Sequence, residues 1–165
     1  MDLEEFDDDL LQQFWIAAQG HAKLGDLDVI VGRAWSQSVV PPAWSFGDSP
    51  EMADELLALV MEGKKTATSS LAHEYEDEGE ALPNVGDLSI ILDGQGTPTA
   101  LIKTTEVCVQ PFSEVSLNQS AAEGEGDCTL ENWRATHRQL WTRDGHEFED
   151  ETLVVWESFK VLYRR

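Results

Sequence analysis

The run LSIILDGQGTPTALIKTTEVCVQPF, residues 88–112, constrains the fold more than any other part of the chain. β-Branched and apolar residues on both sides of Asp93-Gly94-Gln95-Gly96 read as two strands, and strands joined by so short a turn must run antiparallel. Other segments extend the pattern: TATSSL (66–71) is a threonine-rich strand candidate, PNVGD (83–87) a turn, and TLVVWESFKVLY (152–163) a closing strand. With 165 residues, 41% of them apolar, and six tryptophans, the chain has material for one buried core and little room for a second.

Helices must fit around these strands. Ser49 followed by Pro50 and Glu51 is a helix start, and Met52, Leu56, Leu57, Val60 and Met61 form one apolar stripe before Gly63 ends it. CTLENWRATHRQLWTRD (128–144) sets Trp133, His137 and Trp141 four residues apart, a single helix face. Residues 2–20 carry Leu3, Phe6, Leu10, Leu11, Phe14 and Trp15 at helical spacing, and the acidic run Glu74–Glu80 reads as a solvated loop. The predicted fold is α+β: a small, partly open, mostly antiparallel β-barrel with flanking helices. Residues 1–44 form an N-terminal helix and connecting arm packed on the body, and 45–165 form the body.

Charge narrows the function. With 32 acidic and 11 basic residues the formal charge is -21, a field that repels polyanions and makes long nucleic acid a poor default partner. The acidic start lacks the basic and apolar regions of a secretory signal, and no apolar run approaches the ~18 residues of a membrane span. A cytoplasmic protein with no membrane partner is expected. Cys108 and Cys128 lack metal-ligand spacing and read as free thiols, so neither a metal nor another cofactor is expected.

The segment GKKTATSSL (63–71) carries the most chemistry. Lys64 and Lys65 stand beside a helix C-terminus, where a cation caps unpaired carbonyls, and that is the purely structural reading. The functional reading notes the hydroxyls of Thr66 and Thr68 beyond Lys65, because a hydroxyl with a lysine neighbour can be made into a nucleophile. Strict alternation puts Thr66 and Thr68 on one face and Lys65 on the other, so Lys65 meets Thr68 only through a turn or bulge at the strand start. Trp133 and His137 are read either as core or as a surface on which a base stacks.

Taken in order, Gly-Lys-Lys-Thr-x-Thr after a helix, VGD at 85–87, TTEV, AEGEGD at 122–127, Trp-x-x-x-His and a final aromatic strand resemble the ASCH domain family over residues 45–163. The resemblance implies a PUA-like β-barrel. It implies several activities, since short bacterial members include amidohydrolases that remove the acetyl group of N4-acetylcytidine, while others resemble RNA-binding modules or ribonucleases. For the amidohydrolases the resemblance places the catalytic lysine and threonine on Lys65 and Thr68, and the glutamate on Glu125, with Glu123 as its rival. Lys64, Thr66, Glu123, Trp133 and His137 are the substrate-binding candidates. Lys65 acts either as a base, if deprotonated, or as an ammonium that steadies an oxyanion. The leading expectation is a metal-independent amidohydrolase acting on a small modified nucleoside. The alternatives are an RNA-binding or RNA-cleaving domain and a non-catalytic interaction module.

Overall fold

The computed structural model describes residues 7–21, 39–143, 145 and 147–165. The start of the expected first helix and most of the expected arm, residues 22–38, lie outside the described residues.

Helix α1 (Asp8–His21) begins where Asp7 Oδ1 accepts the backbone N–H groups of Asp9 and Leu10, and two acids in its first turn suit the positive end of the helix. Its buried residues Phe14, Trp15 and Ala18 pack on Leu88, Ile90, Leu92 and Leu101. Strand β1 (Ala43–Trp44) pairs parallel with β3 (Leu88–Leu92), which turns back antiparallel into the first part of β4 (Pro98–Pro111). The Asp93 carboxylate holds the turn by accepting the N–H groups of Gln95 and Thr97. These segments belong to one compact unit, which gathers the described residues up to Leu57 with Leu88–Lys103 and Val161–Arg165.

The second unit comprises Ala58–Asp87 and Thr104–Lys160. It contains β2 (Ala67–Leu71), paired antiparallel with β5 (Leu153–Arg164) from Ala67↔Ser158 to Leu71↔Val154. Leu71, Phe112, Val115, Trp133, Trp141 and Val154 form its core. Helix α2 (Pro50–Met61) leads into it, started by Ser49 Oγ accepting Met52 N–H at 3.1 Å and followed by Gly63 at φ 75°. Helix α3 (Ala72–Glu78) occupies most of the acidic run expected to be a loop. Helix α4 (Leu117–Ala122) opens on a capping box between Ser116 and Gln119, and α5 (Leu130–Arg143) carries the buried Trp133, His137 and Trp141.

The five strands form one mixed sheet in the order β1-β3-β4-β5-β2. The expected barrel is corrected to an open sheet, with β1 and β2 at its edges. Two features explain this: β1 is only two residues long, and β2 only five, so neither edge offers a ladder long enough to close the ring. The two-residue β1–β3 pair is parallel, while β3–β4 and β2–β5 are antiparallel, in keeping with a mostly antiparallel sheet. Among the described residues no helix is long and apolar enough to cross a membrane, and both cysteines are free thiols.

Candidate active site

The turn after α2 separates the two lysines. The backbone N–H groups of Lys64 and Lys65 both reach the Leu59 carbonyl, at 2.9 and 3.0 Å, which folds the chain back on the end of the helix. Lys64 leaves toward solvent, with 65% of its side chain exposed, and pairs with Glu62 at 2.6 Å; that hydrogen bond and charge raise its pKa. Lys65 turns inward and is only 2% exposed. Its Nζ donates to the Ala67 carbonyl at 2.9 Å and lies 3.5 Å from Glu125 Oε1.

The strand geometry says where that ammonium sits. Thr66 O accepts from Phe159 N, so this carbonyl faces β5, and the next one along, Ala67 O, faces away from it. Because β2 is the outermost strand, Lys65 Nζ lies on the free edge, against the peptide that joins Ala67 to Thr68. The segment after α4 closes over it: Thr66 donates to the Ala122 carbonyl through both N–H (2.8 Å) and Oγ1 (3.2 Å). Gly124 makes the approach feasible, since a Cβ there would fall 2.2 Å from Lys64 O, and its φ is +67°.

Toward α5 the site continues as a sealed polar network. Glu123 is 1% exposed. Its Oε1 accepts the Ser69 hydroxyl, and its Oε2 lies 3.4 Å from His137 Nε2. His137 Nδ1 donates to the Trp133 carbonyl at 2.9 Å, so both ring nitrogens face acceptors. Burial pushes the Glu123 carboxyl up, but the His137 hydrogen bond, the charges of His137 and Lys65, and the Ser69 hydroxyl outweigh it. The net direction is below the ordinary carboxylate value. The Trp133 ring stacks on His137 at 4.3 Å and on Phe112 at 5.3 Å, inside the core.

Thr68 belongs to the other face of β2. In the regular β2–β5 ladder Ser69 points to Glu123, so Thr68 and Ser70 point the opposite way, where Ser70 Oγ shares a hydrogen with Tyr75 OH at 2.8 Å. Glu157 stands directly across from Thr68, and Thr104 Oγ1 donates to Glu157 Oε2 at 3.1 Å. Burial raises the Glu157 carboxyl; the Thr104 bond works against this and the charge of Asp87 adds to it.

The structure thus brings Lys65, Glu125, Glu123 and His137 together, with Trp133 behind them. It leaves Lys64 on the surface and ties Thr66 to the main chain. Thr68 adjoins Lys65 through the backbone rather than by a shared face. Sequence reasoning missed Ser69, Thr104 and Glu157; an acid in the middle of the apolar VVWESF was the available signal for Glu157.

Ligand atoms of Glu123, Glu125 and His137 lie within 4.8 Å of one another, the spacing of a metal trio. The donor set fits a divalent ion poorly, because the Lys65 ammonium already faces Glu125 and His137 already faces Glu123. An incoming ion would have to displace that ammonium, and the two carboxylates are balanced without it.

Residues 42–163 match the family model described as the ASCH domain. The crystal structure of an ASCH domain from Lactobacillus crispatus JV V101 is similar over 99% of this chain and 100% of its own, at 29% identity and a TM-score of 0.79. A protein of Enterococcus faecalis V583 is 35% identical, with 88% of each chain covered and a TM-score of 0.69. No curated protein matches the chain.

Proposed function

This chain belongs to the ASCH domain family, and from that premise we propose that it hydrolyses the amide of an acylated nucleoside, with N4-acetylcytidine as the first substrate to test. The observation that carries the reading is the Lys65 ammonium, buried on the strand edge beside Thr68 and facing a carboxylate whose side chain remains 27% exposed. Burying a lysine ammonium is a costly way to stabilise a fold, and such arrangements concentrate at functional sites.

In the proposed reaction Thr68 Oγ1 attacks the acyl carbon. Negative charge then grows on the carbonyl oxygen, and Lys65 supplies the compact cationic donor that steadies it. Because its hydrogens are directed at Ala67 O and Glu125, Lys65 serves as a donor rather than as the base. Glu125 holds the ammonium and, on its open side, accepts a hydrogen bond from the N–H of the scissile amide. Glu123, His137 and Ser69 fix the floor beneath this pair. A formal charge of -21 favours a small neutral substrate over long RNA.

The metal-like spacing of Glu123, Glu125 and His137 is the one observation that favours the rival, metal-dependent RNA cleavage. One experiment separates them: purified protein is incubated with N4-acetylcytidine or a short RNA, with chelator or with Mg²⁺ or Mn²⁺, and products are resolved by chromatography. Cytidine released in the presence of chelator supports the hydrolase. Metal-dependent RNA fragments with no cytidine would overturn it.

A further inference from the structure

A threonine hydroxyl is a weak nucleophile until something takes its proton, and Lys65, occupied as a donor, is not suited to that task. The sealed network on the Ser69 face is turned away from Thr68. On the Thr68 face one carboxyl stands directly opposite. Residues paired across an antiparallel ladder point to the same side with Cβ atoms roughly 4.5–5.5 Å apart, so Thr68 and Glu157 share that side.

We propose that Glu157 is the general base that takes the proton of Thr68 in the amide hydrolysis proposed above, on which this inference rests. Thr104, itself buried, occupies Oε2 of that carboxyl with a 3.1 Å hydrogen bond and so fixes its plane. Tyr75, held through Ser70, closes the same face. Burial and the charge of Asp87 hold the Glu157 carboxyl above its ordinary value, and a base with a tighter hold on its proton is a stronger one.

The protons balance with this one group. As Thr68 Oγ1 bonds to the acyl carbon, its proton passes to Glu157. When the C–N bond breaks, the departing nitrogen takes that proton and leaves as the amine, with the acyl group now an ester on Thr68. Water then attacks the ester carbon and gives a proton to Glu157. As the C–Oγ1 bond breaks, Glu157 returns the proton to Thr68, and the carboxylic acid leaves. One amide and one water yield one acid and one amine.

The test compares wild type, Glu157→Gln, Glu157→Asp and Thr68→Ala for release of cytidine from N4-acetylcytidine, for acetyl transfer to Thr68 by intact mass, and for thermal midpoint. Glutamine keeps an oxygen for Thr104 and nearly the same volume but cannot take a proton. Its turnover should fall ~100-fold or more, with KM little changed, no acetyl-enzyme and no loss of thermal midpoint. Aspartate keeps the carboxylate one methylene further back and should retain a measurable part of the rate, which a purely structural role would not predict. Turnover of Glu157→Gln within a few-fold of wild type, while Thr68→Ala is inactive, would overturn the role of Glu157 and leave the hydrolase standing. A wild type that releases no cytidine would remove both.

Discussion

Replacing Lys65 by methionine keeps most of the length of the side chain and removes its charge. Breaking a fully buried ion pair costs ~3–5 kcal/mol, chiefly because the abandoned partner stays buried. Here the partner is Glu125, whose side chain is 27% exposed and can turn to water, so most of that penalty is relieved. What remains is the Ala67 carbonyl left without its donor, ~1–3 kcal/mol, and the loss of the positive charge that favours ionised Glu123. A total of about 2–3 kcal/mol is expected, which for a chain of this size lowers Tm by roughly 5–10 °C. Thermal melts at neutral pH of Lys65→Met, Glu125→Gln and the double variant would measure it. The double variant should be less destabilised than the sum, by at least ~0.5 kcal/mol, since each single change removes the same contact. A drop under ~1 °C for Lys65→Met, or strict additivity, would refute the reasoning that this ammonium is held by its pair. In the same series Lys65→Arg keeps the charge but spreads it over a planar head too large for so closed a site, and should lose ~100-fold in turnover, the scale of one oxyanion donor.

Three further outcomes follow from the same geometry. Glu123 has a depressed pKa in the folded state, so its contribution is present above about pH 4.3 and is lost as the pH falls through the lower folded value; the Tm gap between wild type and Glu123→Gln, measured from pH 7 to pH 3, should therefore shrink, and a constant gap would count against an ionised Glu123. Gly124→Ala puts a Cβ within 2.2 Å of Lys64 O at a positive φ and should destabilise by ~1–3 kcal/mol, read in a urea melt; an unchanged midpoint would mean that the segment covering Lys65 is not held there. Thr68→Ser should keep part of the deacetylation rate and Thr68→Ala should lose nearly all of it, whereas equal rates for the two would remove Thr68 as the nucleophile.

Local signals in the sequence were read well where the cause is local. Ser49 and Gly63 bound α2 because a cap and a left-handed glycine act on their own neighbours. The hairpin around Asp93 is likewise a matter of one carboxylate and two N–H groups. The Lys65–Glu125 contact came from the order of motifs, since no local rule links residues so far apart in the chain. The acidic run reads as a solvated loop, yet Gly79 supplies a left-handed C-cap and Tyr75 finds Ser70, which together hold a short helix. The network of Ser69, Glu123 and His137 was only half visible. Its members come from a strand, a turn and a helix, and only the register of β2 decides that Ser69 rather than Thr68 meets Glu123.

The Ala67 carbonyl has one more implication, for how this chain behaves in company. The outer strand of an open sheet offers its unpaired groups to any other extended chain, and β2 stands in that position. Here the Lys65 ammonium occupies one of those acceptors and the chain at the end of α4 lies across the strand's entrance, so the lysine of the candidate site is also a guard against stacking. Any redesign that trades the lysine for an apolar side chain to silence the site would also uncover a docking edge. Concentration-dependent light scattering should rise in such a variant before its melting curve gives any sign of unfolding.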